Sequence, residues 1–355
     1  MMSSHFGTII ATMLAGGTVC ALAAGGKLLA ADFPKAEISN GQLRVKLYLP
    51  DAKNGYYRGT RFDWSGVIAS LEYKGHNFYG PWFDRVDPSV HDYAYIGAEV
   101  VAGACSGISG PVQEFHTNEA ALGWDEAKPG ETFIKIGVGV LRKVEGKYDA
   151  YRLYEIVDQG RWTIKQHPDS VEFTQELTDP SSGYGYIYRK IVRLSQGKPE
   201  MVLEHSLKNT GRRTIQSTVY NHNFLVLDKQ PPGPDFSISV PFRIHATQPP
   251  DERFARIHEN HIVFTKVLEN EDVFEVSFQG FGATPKDYDI RIENRKVGAG
   301  MRIRGDRPLS FVNFWSMRKV LAMEPFIAMT IAPGSEFTWK TYYAYYTLPP
   351  TASPE

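Results

Sequence analysis

From Arg44 to Tyr346 the chain repeats one pattern: apolar and polar residues alternate in short runs separated by turn signals. Arg44-Val-Lys-Leu-Tyr-Leu is the first such run, and Phe133-Ile-Lys-Ile-Gly-Val-Gly-Val-Leu, Arg161-Trp-Thr-Ile-Lys and Val171-Glu-Phe-Thr-Gln-Glu-Leu follow. Ile187-Tyr-Arg-Lys-Ile-Val-Arg-Leu, Met201-Val-Leu-Glu-His-Ser-Leu and Thr214-Ile-Gln-Ser-Thr-Val-Tyr continue it, with Asn209-Thr210-Gly211 as the turn between the last two. Phe274-Glu-Val-Ser-Phe, Phe326-Ile-Ala-Met-Thr-Ile and Thr338-Trp-Lys-Thr-Tyr-Tyr-Ala-Tyr-Tyr close it. Side chains of a strand point alternately to its two faces, so each run has one face to bury against another layer. No long helical period competes. The expectation is an all-β chain, a large β-sandwich or barrel. No short repeat marks a propeller, and Gln230-Pro-Pro-Gly-Pro is a loop too short to link two domains.

The ends read differently. Phe6 to Ala24 is almost wholly apolar or small, Ala21-Leu22-Ala23 has the A-x-A form of a cleavage site, and Ala30-Ala31 offers a second. Residues 1–31 are therefore read as a secretory signal peptide, 32–349 as the sandwich domain and 350–355 as a C-terminal tail. The rival for the first segment is an uncleaved anchor, which needs about 20 apolar residues; its richness in Gly, Ala and Thr favours cleavage, with no stable membrane insertion afterwards. Cys105 is then the one cysteine of the mature chain, so neither an internal disulfide nor a zinc–thiolate site can be built. A secreted or bacterial periplasmic location fits both features. With 39 Lys plus Arg against 40 Asp plus Glu, no charge excess directs the protein to nucleic acid. Tyr and Trp, 19 and 6 in number, suit strands and also the walls of sugar-binding clefts.

Two segments carry chemistry. In Tyr220-Asn221-His222-Asn223-Phe224 a histidine, the natural proton carrier near neutrality, sits between two amides able to orient it or to bind a polyol. In Met323-Glu324-Pro325 a carboxylate stands at a strand edge before a proline, where it points into a cleft or into solvent. Each has a bland reading, a satisfied core histidine and a solvated surface glutamate. Together they can form an acid/base couple. His258 and His261 flank Glu259, but no third ligand is placed, so no metal site is read there.

Asn221-His222 followed by Phe224, then Ala322-Met-Glu-Pro, Ala332-Pro333-Gly334 and a Trp-containing last strand, resembles the galactose mutarotase-like (aldose 1-epimerase) superfamily. Gly66-Val-Ile-Ala-Ser-Leu before Gly75, and Leu207-Lys-Asn-Thr-Gly, are similar to its earlier strands, so the resemblance runs from about Arg44 to Tyr346. It implies an all-β large β-sandwich (a supersandwich) of two packed antiparallel sheets, and a reaction that interconverts sugar anomers: Glu324 takes the proton of the anomeric hydroxyl, His222 protonates the ring oxygen, and the opened ring closes as the other anomer. No cofactor is implied, and the partner is a small sugar or oligosaccharide. A second family histidine is matched only by His116, displaced past Phe115, and the family aspartate only by Asp287 or Asp289. Arg61, Asp63 and Glu114 are expected to clamp hydroxyls, with an ion pair on a strand face as the alternative for the first two, and Asn221, Asn223 and Trp315 to complete the cleft, Trp315 by stacking. His222 and Glu324 are expected about a sugar ring apart. The competing functions are a carbohydrate-binding protein without turnover, and a lyase or hydrolase in the same cleft, with Tyr57 beside Arg61 as the lyase feature.

Overall fold

The computed structural model describes residues 32–349; the signal-like segment and the C-terminal tail lie outside them. Strands run from Lys35–Ser39 to Glu336–Thr347, and the helical content among the described residues is two single 3₁₀ turns, Leu227–Lys229 and Pro285–Asp287. Two large antiparallel sheets form the sandwich. In the six-stranded sheet the spatial order is His245–Ala246, Val273–Gln279, Phe311–Met317, Val320–Ile331, Ile215–Leu225 and Gly110–His116. The ten-stranded sheet runs from Arg161–His167 to Ala255–His258, with Tyr184–Leu194, Glu200–Asn209 and Glu336–Thr347 at its middle. Between them lies a continuous apolar core that includes Val219, Ile327 and Met329 of the first sheet and Leu203, Ile303 and Tyr343 of the second.

Three small sheets accompany the two large ones, and one of them holds a parallel pair, Arg85–Val86 beside Glu99–Ala102. They belong mostly to the segment before Ile156, which builds a second apolar cluster from Phe62, Trp64, Trp82, Trp124 and Phe133. This cluster takes in Phe224 and Val320 of the six-stranded sheet, so it caps one end of that sheet's outer face. The burial pattern records the cap. Along Ile215–Leu225 alternating burial gives way to complete burial from Val219 onward. Along Val320–Ile331, which runs the opposite way, complete burial gives way to alternation after Pro325. The sheet passes from one covered face to two at the level of His222 and Glu324.

One expected strand is two. Phe133–Leu141 breaks into Thr132–Lys135 and Gly139–Arg142, which pair as a hairpin. The reason is Gly137, whose φ of 82° only glycine adopts readily, while Val138 N–H closes the turn on Lys135 C=O. The glycines here meet close neighbours and leave no ligand space: a Cβ on Gly137 would lie 2.7 Å from an Asp63 oxygen.

Candidate active site

His222 and Glu324 occupy adjacent antiparallel strands. The pairing Tyr220↔Phe326 and Asn223↔Met323 puts them directly across from one another. Pro325 has no N–H, so the Asn221 carbonyl opposite it loses its ladder donor; Asn223 Nδ2 donates to that carbonyl at 3.1 Å and to Met323 C=O at 2.7 Å. The amide thus repairs the sheet where the glutamate enters. His222 Nε2 lies 3.2 Å from Glu324 Oε1, in contact instead of a sugar ring apart. Strand pairing dictates this, because cross-strand Cβ atoms sit only about 5 Å from each other.

Around the pair is a cleft of about 230 Å³. Trp82, Phe224 and Trp315 supply its apolar walls, and Arg61, Asp92, Tyr93, Tyr151, Glu275 and Asn313 line it with His222 and Glu324. His222 is stacked on Phe224 with ring centroids 3.7 Å apart, and Phe62 and Trp315 meet it edge-on. Its Nδ1 has no hydrogen-bond partner among the described residues. Burial, and then the positive charge of Arg61, holds its pKa well below the usual histidine value, so the ring is neutral at pH 7. Glu324 is 8 % exposed, and burial raises its pKa to about 7 against the opposing hydrogen bond from Asn313 and the charge of Arg61. Below about pH 7 the two side chains therefore hold one titratable proton between them, and it rests on Glu324.

Asn313 is oriented for its part. Its Oδ1 accepts from Ser277 Oγ at 2.9 Å, which turns the amide N–H₂ toward Glu324 Oε2 (3.2 Å) and Glu275 Oε1 (3.0 Å). Asn313→Leu keeps the bulk and loses the donor, so burial acts on Glu324 unopposed by this bond. The carboxyl should then titrate roughly one pH unit higher, the worth of one hydrogen bond to a charge. An NMR titration of the Glu324 carboxyl carbon measures this, and an unchanged midpoint would remove Asn313 from the site.

The other expected residues separate by face. Arg61 and Trp315 line the cleft. Glu114 lies beneath it, 1 % exposed, and cannot reach a ligand. It accepts from Arg61 Nε (2.8 Å), Tyr220 Oη (2.6 Å) and Lys135 Nζ (3.0 Å), and His116 Nε2 lies 2.9 Å from its Oε1. Burial would raise the Glu114 pKa, but Arg61 and then Lys135 outweigh it, and it stays ionised well below the usual range. His116 lines a neighbouring groove and not the cleft. Asn221 and Asn223 flank His222 in sequence, so the period of two turns both to the opposite face. There Asn221 Nδ2 donates to Thr341 Oγ1 and Tyr343 Oη of the other sheet. Asp63 is buried behind the cleft, accepting from Ser65 Oγ, Tyr188 Oη and Lys190 Nζ. Asp287 accepts from the Gly282 N–H and Asp289 pairs with Arg302 in the ten-stranded sheet, both outside the cleft. Tyr57 donates to Cys105 C=O from a buried position and does not stand beside a ligand. Asp92 and Tyr151 come from loops of the cap, Tyr93 from its strand Tyr93–Ile96, and Glu275 and Asn313 from strands of the six-stranded sheet. The alternation in Phe274-Glu-Val-Ser-Phe does place Glu275 opposite the apolar face, but nothing local marks it as part of a site.

The fold has counterparts among solved structures. A galactose mutarotase related enzyme from Lactobacillus acidophilus is similar over 90 % of this chain and 99 % of its own, at 12 % identity and a TM-score of 0.51. A galactose mutarotase-like protein from Clostridium acetobutylicum is similar over 88 % and 95 %, at 10 % identity and a TM-score of 0.50. A Synechocystis sp. PCC 6803 protein is similar over 89 % and 97 %, at 10 % identity and a TM-score of 0.51. No family model and no curated protein sequence matches. The chain has the galactose mutarotase-like fold, in a sequence far diverged from those of its structural neighbours.

Proposed function

We propose that the protein is an aldose 1-epimerase-type isomerase, catalysing anomer interconversion of a sugar by proton transfer through His222 and Glu324. The observation that carries this reading is the contact itself: two buried proton-transfer groups 3.2 Å apart at the base of an aromatic-walled cleft, with one proton between them near neutrality. Ring opening needs one proton removed from the anomeric hydroxyl and one delivered to the ring oxygen as the C1–O5 bond breaks. Both oxygens are bonded to the same carbon, so two groups in contact can serve them, and a separation of a whole ring is unnecessary. The aldehyde rotates and the reverse transfers close the other anomer. Arg61, anchored by Glu114 below, and the Trp315 wall would hold the hydroxyls and the apolar face of the ring.

A binding protein without turnover would not need a carboxyl held near pH 7 in contact with a neutral imidazole, and raised carboxyls of this kind cluster at catalytic sites. The lyase reading has less behind it: the Tyr57 hydroxyl is buried, donating to Cys105 C=O and accepting from Phe62 N–H, and does not line the cleft.

The pH profile is a direct test. Turnover requires the singly protonated pair, whichever member gives and whichever takes, since both transfers use one proton and one vacancy. That form is lost as pH rises past about 7, the value to which burial lifts Glu324, and on the acid side only where His222 charges, well below the usual histidine value. The expected kcat/KM for anomer exchange, followed by polarimetry or NMR, is level through mildly acidic pH and falls about tenfold per unit above 7. A rate that climbs steadily from pH 7 to 9 contradicts the shared-proton mechanism.

A further inference from the structure

The outer face of the six-stranded sheet does not end at the cleft. Residues two apart on a strand share a face about 7 Å apart, so Phe326 follows Glu324, Thr218 and Tyr220 follow His222, and Phe311 follows Asn313. Exposure rises along this direction: Glu324 is buried, Phe326 half-buried and Thr330 exposed, while on the facing strand His222 and Tyr220 are buried, Thr218 half-buried and Gln216 exposed. Here the cap has run out. A groove of about 610 Å³ lies on the uncovered stretch, lined by Phe311, Phe326, Thr218, Thr330, Gln216 and His116 among others. Phe311 is 36 % exposed and meets Phe326 edge-on, with ring centroids 5.3 Å apart. Phe326 in turn stacks on Tyr220 at 4.3 Å. Tyr220 accepts from Arg61 Nη2 at 3.2 Å, so this buried ring touches Arg61 of the cleft on one side and Phe326 of the groove on the other.

We propose that cleft and groove form one carbohydrate track, with the reducing-end ring at His222 and Glu324 and a second sugar ring of a di- or oligosaccharide over Phe311. The proposal rests on the isomerase reading for what happens at the first position. The second position is argued from the surface itself. Exposed phenyl edges and faces interleaved with hydroxyl and amide side chains match the mixed C–H and O–H surface of a pyranose. One two-residue step along the strand is of the order of one ring's length. A protein partner would want a broader apolar patch than two phenylalanines in a polar frame.

The test compares reducing monosaccharides (glucose, galactose) with maltose, lactose, cellobiose and maltotriose, on wild type and on Phe311→Ala, a substitution at an exposed position. Anomer exchange is followed by NMR, and binding separately by calorimetry. The track predicts a higher kcat/KM for at least one disaccharide than for its monosaccharide, and a fall in that ratio of roughly five- to tenfold in Phe311→Ala, the worth of one aromatic contact. Oligosaccharide binding that weakens in Phe311→Ala without any anomer exchange supports the track and sinks the isomerase reading. Exchange with no preference for the longer sugars, or a ratio untouched by Phe311→Ala, overturns the track and leaves the isomerase reading in place. No sugar bound by either measure overturns both.

Discussion

Glu324→Gln is expected to lower kcat for anomer exchange by roughly 100- to 10,000-fold with little change in KM, the range that a positioned general acid/base contributes. The amide fills the same space and still accepts from Asn313, but it cannot take or give a proton. His222→Asn has a comparable effect. The double variant is scarcely worse than either single one, because the two groups act as one proton-sharing unit. Stability gives the control. The Glu324 carboxyl is raised from 4.5 to about 7 in the folded chain, so between these values the folded state keeps a proton that the unfolded state has released. Stability therefore falls as pH rises through that window, and the loss is complete above 7. Glu324→Gln abolishes this fall, so the variant should be no less stable than wild type at pH 8 by urea denaturation. Unaltered turnover on a sugar that the wild type processes would refute the role of Glu324.

Glu114→Gln is expected to cost about 3–5 kcal/mol of stability, the cost of leaving buried charges uncompensated. Glu114 is the anion under the cleft to which both Arg61 and Lys135 are tied, and Lys135 is itself 1 % exposed. Without the carboxylate two cations remain with one neutral amide. Urea midpoints measure the effect. Adding Lys135→Met to Glu114→Gln removes one stranded cation and should recover part of the loss, which a merely misfitting glutamine would not allow. A Glu114→Gln variant within about 0.5 kcal/mol of wild type would show that the cluster contributes nothing to the fold.

The sequence by itself determined the architecture and brought out the two residues proposed as proton carriers. Period-two alternation is a backbone property, readable wherever one face of a strand is buried and the other is not, and it marks Met201–Leu207 or Val171–Leu177 without tertiary information. His222 and Glu324 stood out because each sits where the local pattern is broken, one between amides and the other against a proline. The alternation also held the answer for Asn221 and Asn223: neighbours of a cleft-facing residue must face the other way, and both do, into the space between the sheets. The 3.2 Å contact was not legible. It depends on strands more than a hundred residues apart pairing in one register, and a register shifted by one residue would have turned Glu324 into the core.

Only the tertiary structure decided which surface of the six-stranded sheet became a site. The cap before Ile156 dries its outer face as far as His222 and Glu324 and leaves it open beyond Phe326. That boundary raises one pKa and lowers the other, because desolvation is set by what packs over a group and not by its neighbours in sequence. Asp63 and Glu114 show the same limit. Both are acidic residues near aromatic ones in the chain, yet Asp63 is buried against Lys190 and Glu114 under Arg61. Charge type is written in the sequence. Whether a charge meets solvent, a ligand or a buried counter-ion is decided by long-range packing.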